Sequence, residues 1–207
     1  RLASGYERIV RFLAFIGLPL SVLLYFTAGE VTLILFGDQW MPSIPIFRIL
    51  TLSVGIQIVL SSSGSIFQAA GDTKSLFVCG LFSSVLNVAG ILLGIFRIGT
   101  LQAVATCITL TFTVNFVQCY WMMYRVTLHR SLRHFAVQLV SPLAVSVLLI
   151  AVLYPLSLLT EGGNIFLTLI VKSIIFFCIF GCYIQLTGEY DIIGKAKGIL
   201  NKRKSRG

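Results

Sequence analysis

Six long apolar runs, separated by short polar breaks, constrain this chain more than any other feature. They cover about Phe12–Phe36, Ser43–Ala70, Leu76–Phe96, Thr100–Tyr124, Phe135–Leu156 and Ile165–Leu186. A helix needs about 20 mostly apolar residues to cross the roughly 30 Å hydrocarbon core of a bilayer. Barrel strands would alternate apolar and polar over about ten residues, and these runs do not. The predicted fold is therefore all-α and polytopic, with six transmembrane helices. Composition agrees: 57% of the 207 residues are hydrophobic and only 11% charged, against roughly 25% in soluble domains. So few charges cannot clothe a water-facing surface. A soluble enzyme, a disordered chain and a nucleic-acid-binding domain are excluded, and no nucleic acid is expected as a partner despite a net charge of +9.

The breaks carry turn chemistry. Gly37-Asp38 precedes Trp40, Pro42 and Pro45. Gly71-Asp72-Thr73-Lys74 is a tight polar turn, Gly99 opens the fourth span, and Glu161-Gly162-Gly163-Asn164 separates the last two. Loops this short make successive helices antiparallel neighbours. Counted along that topology, thirteen of the sixteen Lys and Arg fall on the side of the N-terminus, leaving Arg48, Arg97 and Lys172. The positive-inside bias then places both termini in the cytoplasm, with the basic tail 191–207 beside anionic headgroups of the membrane lipids. The chain starts at Arg1 without a signal peptide, and a C-terminal portion of a longer protein is expected.

Polar residues at membrane depth are costly, so each is a candidate for function. Arg48 and Glu30 lie at matching depths on sequential spans, and a Glu30–Arg48 ion pair is expected, against separate snorkelling to the headgroups. Lys172 sits about seven residues into the last span, as either a substrate-attracting cation or a lipid-facing or partner-paired structural lysine. The second span carries Gln57, Ser61, Ser62, Ser63, Gly64, Ser65 and Gln68, a density that calls for a bundle interior or an aqueous path. Asn87, Asn115 and Gln118 continue such a lining or serve as interhelical hydrogen bonds. The substrate-path candidates are thus Arg48, Gln57, Ser61, Gln68, Asn87, Asn115, Gln118 and Lys172.

Catalytic chemistry finds little support. His129 and His134 fall in the loop after the fourth span, and no acid pair, nucleophile grouping or phosphate loop is apparent. The five cysteines lie in spans without metal-ligand spacing, and Cys178 and Cys182 alone cannot complete a structural zinc site. No metal, cofactor or enzymatic activity is expected.

The run Leu35-Phe36-Gly37-Asp38-Gln39-Trp40, followed by the Ile49-Leu50 span core, the Ala69-Ala70-Gly71 turn and the Ile98-Gly99-Thr100 turn, resembles a known family. The chain is similar over about residues 1–125 to the polysaccharide transporters. These are the O-antigen and exopolysaccharide repeat-unit flippases of the multidrug/oligosaccharidyl-lipid/polysaccharide exporter superfamily. The resemblance implies two helical lobes around a central cavity. Residues 1–125 would form part of the C-terminal lobe, 126–190 two additional helices and 191–207 the tail. It further implies export of a lipid-linked oligosaccharide, carried on a polyprenyl diphosphate, across the bacterial inner membrane. An N-terminal lobe on the parent chain would be needed, because half of a rocking pair cannot alternate access. The competing readings are a polymerase or ligase of envelope polysaccharide assembly, a drug/cation exporter of the same superfamily, and a non-transporting scaffold.

Overall fold

The computed structural model describes residues 2–129, 131–160 and 162–187, and these residues are helical with no strand among them. Seven α-helices follow in order: α1 (Leu2–Phe36), α2 (Ile44–Leu60), α3 (Ser63–Ala69), α4 (Thr73–Leu93), α5 (Leu101–Met122), α6 (Leu132–Leu159) and α7 (Ile165–Thr187). They make six segments long and apolar enough to cross a membrane, α2 and α3 together forming the second. This agrees with the all-α, six-span expectation. Arg1, Arg130 and the basic tail 191–207, which carried much of the expected orientation signal, lie outside the described residues.

The bundle is organised as a row. Helix α1 packs against α2, α6 and α7; α2 packs on α5, and α5 on α4. The expectation of sequential neighbours holds for α1–α2, α4–α5 and α6–α7, but α1 takes α6 and α7 as further neighbours. The α1–α2 crossing is tight because both helices lack a side chain there. A Cβ at Gly55 would lie 2.8 Å from the Gly17 carbonyl oxygen, and the Gly55 N–H meets Ser21 Oγ at 2.6 Å. Small residues at crossings let helix backbones approach, which is how membrane helices gain packing energy where lipid is as apolar as their own side chains.

The α4–α5 hairpin uses the same device with polar additions. Gly94 faces Val104, and Gly90 faces Thr111 and the Cys107 carbonyl. One turn on, Thr111 Oγ1 donates to Asn87 Oδ1 at 2.8 Å, and further still Gln118 reaches Cys79. At the turn end, Thr127 Oγ1 donates to Asp72 Oδ2 at 2.6 Å while Asp72 Oδ1 caps α4 at Ser75 N. These two bonds, Thr127 foremost, hold the Asp72 carboxyl below its ordinary range. Gly99, at φ 72, closes the opposite turn in the left-handed region that favours glycine.

The second span departs from the expected continuous helix. It opens with a 3-10 turn over Asp38–Ser43, continues as α2, breaks at Ser61–Ser62 and resumes as α3. The serines supply the cause. Ser61 Oγ and Ser62 Oγ each donate to the carbonyl three residues back, Ile58 and Val59, and the Ser62 N–H turns to Val59 O at 3.3 Å. Such back-bonding competes with the helical ladder and bends it. Two buried tyrosines brace the bend: Tyr120 OH donates to Val59 O at 3.0 Å, and Tyr6 OH donates to Tyr120 OH at 3.1 Å. Around them Val10, Phe67, Met123, Tyr124 and Phe135 form the larger apolar core. A second core joins Phe15 of α1 to Val145 and Leu149 of α6 and Phe176 of α7.

The outer surface is apolar. Phe77, Leu81, Val85 and Val88 on α4, Val140 and Val147 on α6, and Ile170, Ile174 and Phe177 on α7 are all exposed. In water this would be an aggregation surface; in a bilayer it is the face that lipid tails cover.

Candidate functional site

Two groups of polar side chains stand out against that apolar exterior. The first is on the second span. Gln57, Ser61, Ser65 and Gln68 are all exposed, Gln57 on α2, Ser61 at the break, and Ser65 and Gln68 on α3. Gln57 lies about 20 Å along the helix from Ile44 at 1.5 Å per residue, well within hydrocarbon depth. Among the described residues the Gln57 and Ser61 side chains bond only within their own span: Gln57 Nε2 donates to Ser53 Oγ and Ser61 Oγ to Ile58 O. Their remaining hydrogen-bonding capacity faces outward, where hydrocarbon could not satisfy it.

The other amide candidates do not join this run. Asn87 is engaged between α4 and α5, donating to Ser83 O and accepting from Thr111. Asn115 is buried at 5% exposure, and Gln118 Nε2 points to Cys79 and Met122 sulfurs in the same seam. The carbonyl oxygens of Asn115 and Gln118 are buried without a hydrogen-bond donor among the described residues. These three amides lie along the α4–α5 contact, apart from the exposed polar run of the second span.

The second group lies near the far end of α1 from the N-terminus. Lys172 on α7 is 3% exposed; its Nζ donates to Glu30 Oε1 at 2.5 Å and to the Phe26 carbonyl at 2.9 Å. The expected Glu30–Arg48 pair is therefore corrected: the carboxylate belongs to Lys172. The reason is packing. Helix α7 lies against α1 at this level, and a lysine almost wholly removed from water needs a counter-ion more than an exposed arginine does. Arg48 is exposed, with its guanidinium beside Gly29, and makes no ion pair among the described residues. All three charges line one pocket of about 190 Å³, together with Ser157, Thr160, Gly162, Gly163 and Thr168. Lys172 is thus a paired cation in a helix contact and not part of the exposed polar run.

The depth of this group follows from helix length. Thirty-five residues make α1 about 52 Å long at 1.5 Å per residue. That exceeds a hydrocarbon core of roughly 30 Å by some 20 Å. Glu30, about 9 Å short of the end at Phe36, falls near the hydrocarbon–headgroup boundary in a centred helix.

Sequence reasoning passed over two features here. The Tyr6–Tyr120–Val59 brace could have been sought from tyrosines within apolar runs, since a buried hydroxyl needs a partner. The Asp72–Thr127 bond had a weaker signal, an acid at a helix start.

Comparison with known proteins supports the resemblance read from the motifs. Residues 1–45 match the family described as polysaccharide biosynthesis protein, a stretch that covers α1 and the Gly37–Trp40 turn. The chain is 25% identical over 121 residues to the teichuronic acid biosynthesis protein TuaB of Bacillus subtilis (strain 168). That match covers 58% of this chain and 25% of the relative, so the chain spans about a quarter of the length of the curated protein it matches. No solved structure matches. Six spans long and apolar enough to cross a membrane indicate a multi-pass membrane protein, and both matches are to proteins of polysaccharide biosynthesis, which this chain resembles.

Proposed function

We propose that this chain forms part of an exporter that moves a polyprenyl-diphosphate-linked oligosaccharide repeat unit across the bacterial cytoplasmic membrane in surface polysaccharide biosynthesis. The observation that carries the reading is the run of exposed polar residues Gln57, Ser61, Ser65 and Gln68 along the apolar second span. A sugar head cannot cross hydrocarbon unaided, because its hydroxyls would lose their water partners. Amide and hydroxyl groups on one wall of a cavity replace that water while the polyprenyl tail stays in lipid. The opposite wall would come from a second lobe on the parent chain, and rocking of the two lobes would expose the cavity to each side in turn. In this reading both termini are cytoplasmic and the chain transports rather than catalyses.

Deletion of the gene for the parent protein tests this. Lipid-linked repeat units accumulating on the cytoplasmic face are expected. Accumulation on the outer face would point to a polymerase or ligase, and no accumulation to a drug exporter or scaffold; either outcome overturns the proposal.

A further inference from the structure

Directly beside the charged pocket lies an apolar one, and three helices line both. The apolar pocket, about 340 Å³, sits among α1 (Leu18, Val22, Phe26), α2 (Leu52) and α6 (Ser146, Ile150). The charged pocket is reached about one turn further along α1 at Gly29 and Glu30, one turn earlier on α2 at Arg48, and two turns later on α6 at Ser157. All three displacements run the same way, toward the membrane boundary marked by the end of α1. Leu52 and Ile150, at 52% and 44% exposed, leave the apolar pocket open at the side of the bundle.

From this register we infer a binding site for one anionic phospholipid of the bilayer, its phosphate against Arg48 and an acyl chain in the Leu18–Ile150 pocket. The charge balance selects an anion. The described lining residues carry Arg48 and Lys172 against Glu30 alone, and Glu30 is committed to Lys172. Asp38 lines a neighbouring pocket with Asn164 and Phe166 instead. Among the described residues Arg48 has no ion-pair partner, and its planar donors suit phosphate oxygens. Thr168 adds a hydroxyl to the same lining. The order of the two pockets matches a lipid standing in its leaflet, head at the boundary and tail inward. The site is separate from the exposed polar run on which the transport reading rests, and it stands or falls independently.

Native mass spectrometry of the delipidated chain tests the inference. The probes are phosphatidylglycerol, diacylglycerol with the same tails, glycerol phosphate without tails, and polyprenyl phosphate. One phosphatidylglycerol is expected to be retained in preference to all three others. Arg48→Gln should weaken it by about tenfold, the worth of one charge-assisted contact, while leaving diacylglycerol unchanged. Leu52→Trp, at an exposed lining position that does not threaten folding, should weaken both. Glu161→Gln is a control, because Glu161 lies outside the described residues between two that line the pocket; retention equal or raised is expected. Equal retention of diacylglycerol, equal binding of glycerol phosphate, preference for polyprenyl phosphate, no effect of Arg48→Gln, or a loss in Glu161→Gln would each overturn the site.

Discussion

Removing one partner of the Glu30–Lys172 pair should cost far more than removing both. Lys172 is 3% exposed and Glu30 14%. In Glu30→Leu the ammonium keeps the Phe26 carbonyl but loses its counter-ion. Breaking such a pair from one side costs 3–5 kcal/mol when both ions are sequestered; the partial exposure of Glu30 puts this case at about 3 kcal/mol. Lys172→Leu should cost about 1–2 kcal/mol, because the stranded carboxylate borders an open pocket and can be hydrated there. With both replaced by leucine no charge is stranded, and apolar packing between α1 and α7 should bring the double variant to within about 1 kcal/mol of the parent. The coupling energy is then about 3–5 kcal/mol. Unfolding in mixed detergent micelles, titrated with a denaturing detergent, measures all four proteins. Losses that simply add in the double variant would show that the two side chains do not act as a pair, and the assignment of Glu30 to Lys172 would fail.

Three further outcomes follow from the packing. Gly55→Val should lower the midpoint of thermal unfolding in detergent by the equivalent of about 1–3 kcal/mol, since its side chain would meet the Gly17 backbone. Gly80→Ala, with open space around it, should raise stability by up to about 1 kcal/mol, and equal effects at the two sites would refute the close α1–α2 crossing. Tyr120→Phe should cost about 1 kcal/mol by removing the brace on Val59, and unchanged stability would mean that the bend needs no brace. The Asp72 carboxyl is held below its ordinary value of 3.8 by Thr127 and then Ser75, so its contribution to stability is present above that value. It is lost as pH falls through the lower folded-state value. The gap in melting temperature between the parent and Thr127→Val should therefore be constant at neutral and mildly acidic pH and close in strong acid; a gap that widens in acid would contradict the hydrogen bond.

The spans were legible because their signal is one-dimensional: twenty apolar residues in a row need no knowledge of neighbours. Glu30 shows where that legibility stops. Two cations, Arg48 and Lys172, lie near its depth, one on the next helix in sequence and one on the last. Choosing between them requires knowing which face of α1 meets which helix, and that is set by side-chain fit across the bundle. Sequential adjacency favours Arg48; packing gives Lys172. The second span is a related case. Its serines were visible as a polar stretch, but the same residues can line a path or bend a helix by bonding their own carbonyls. Ser61 does one while its exposed face permits the other, and only the backbone geometry reveals the bend. Asn87 could be read either as lining or as an interhelical bond, and its partner Thr111 is identified only once α4 and α5 are in register.

Substituted-cysteine labelling in native membranes tests the central claim most directly. Single cysteines at Gln57, Ser61 and Gln68 are placed in the parent protein after its native cysteines are replaced, with Val85 and Val147 as lipid-facing references. A water-soluble, membrane-impermeant thiol reagent should label the first three positions, with access sensitive to the lipid-linked substrate, and spare the references. Silence at Gln57, Ser61 and Gln68 equal to that at Val85 and Val147 would mean the polar run meets no water, and the transport path along the second span would be contradicted.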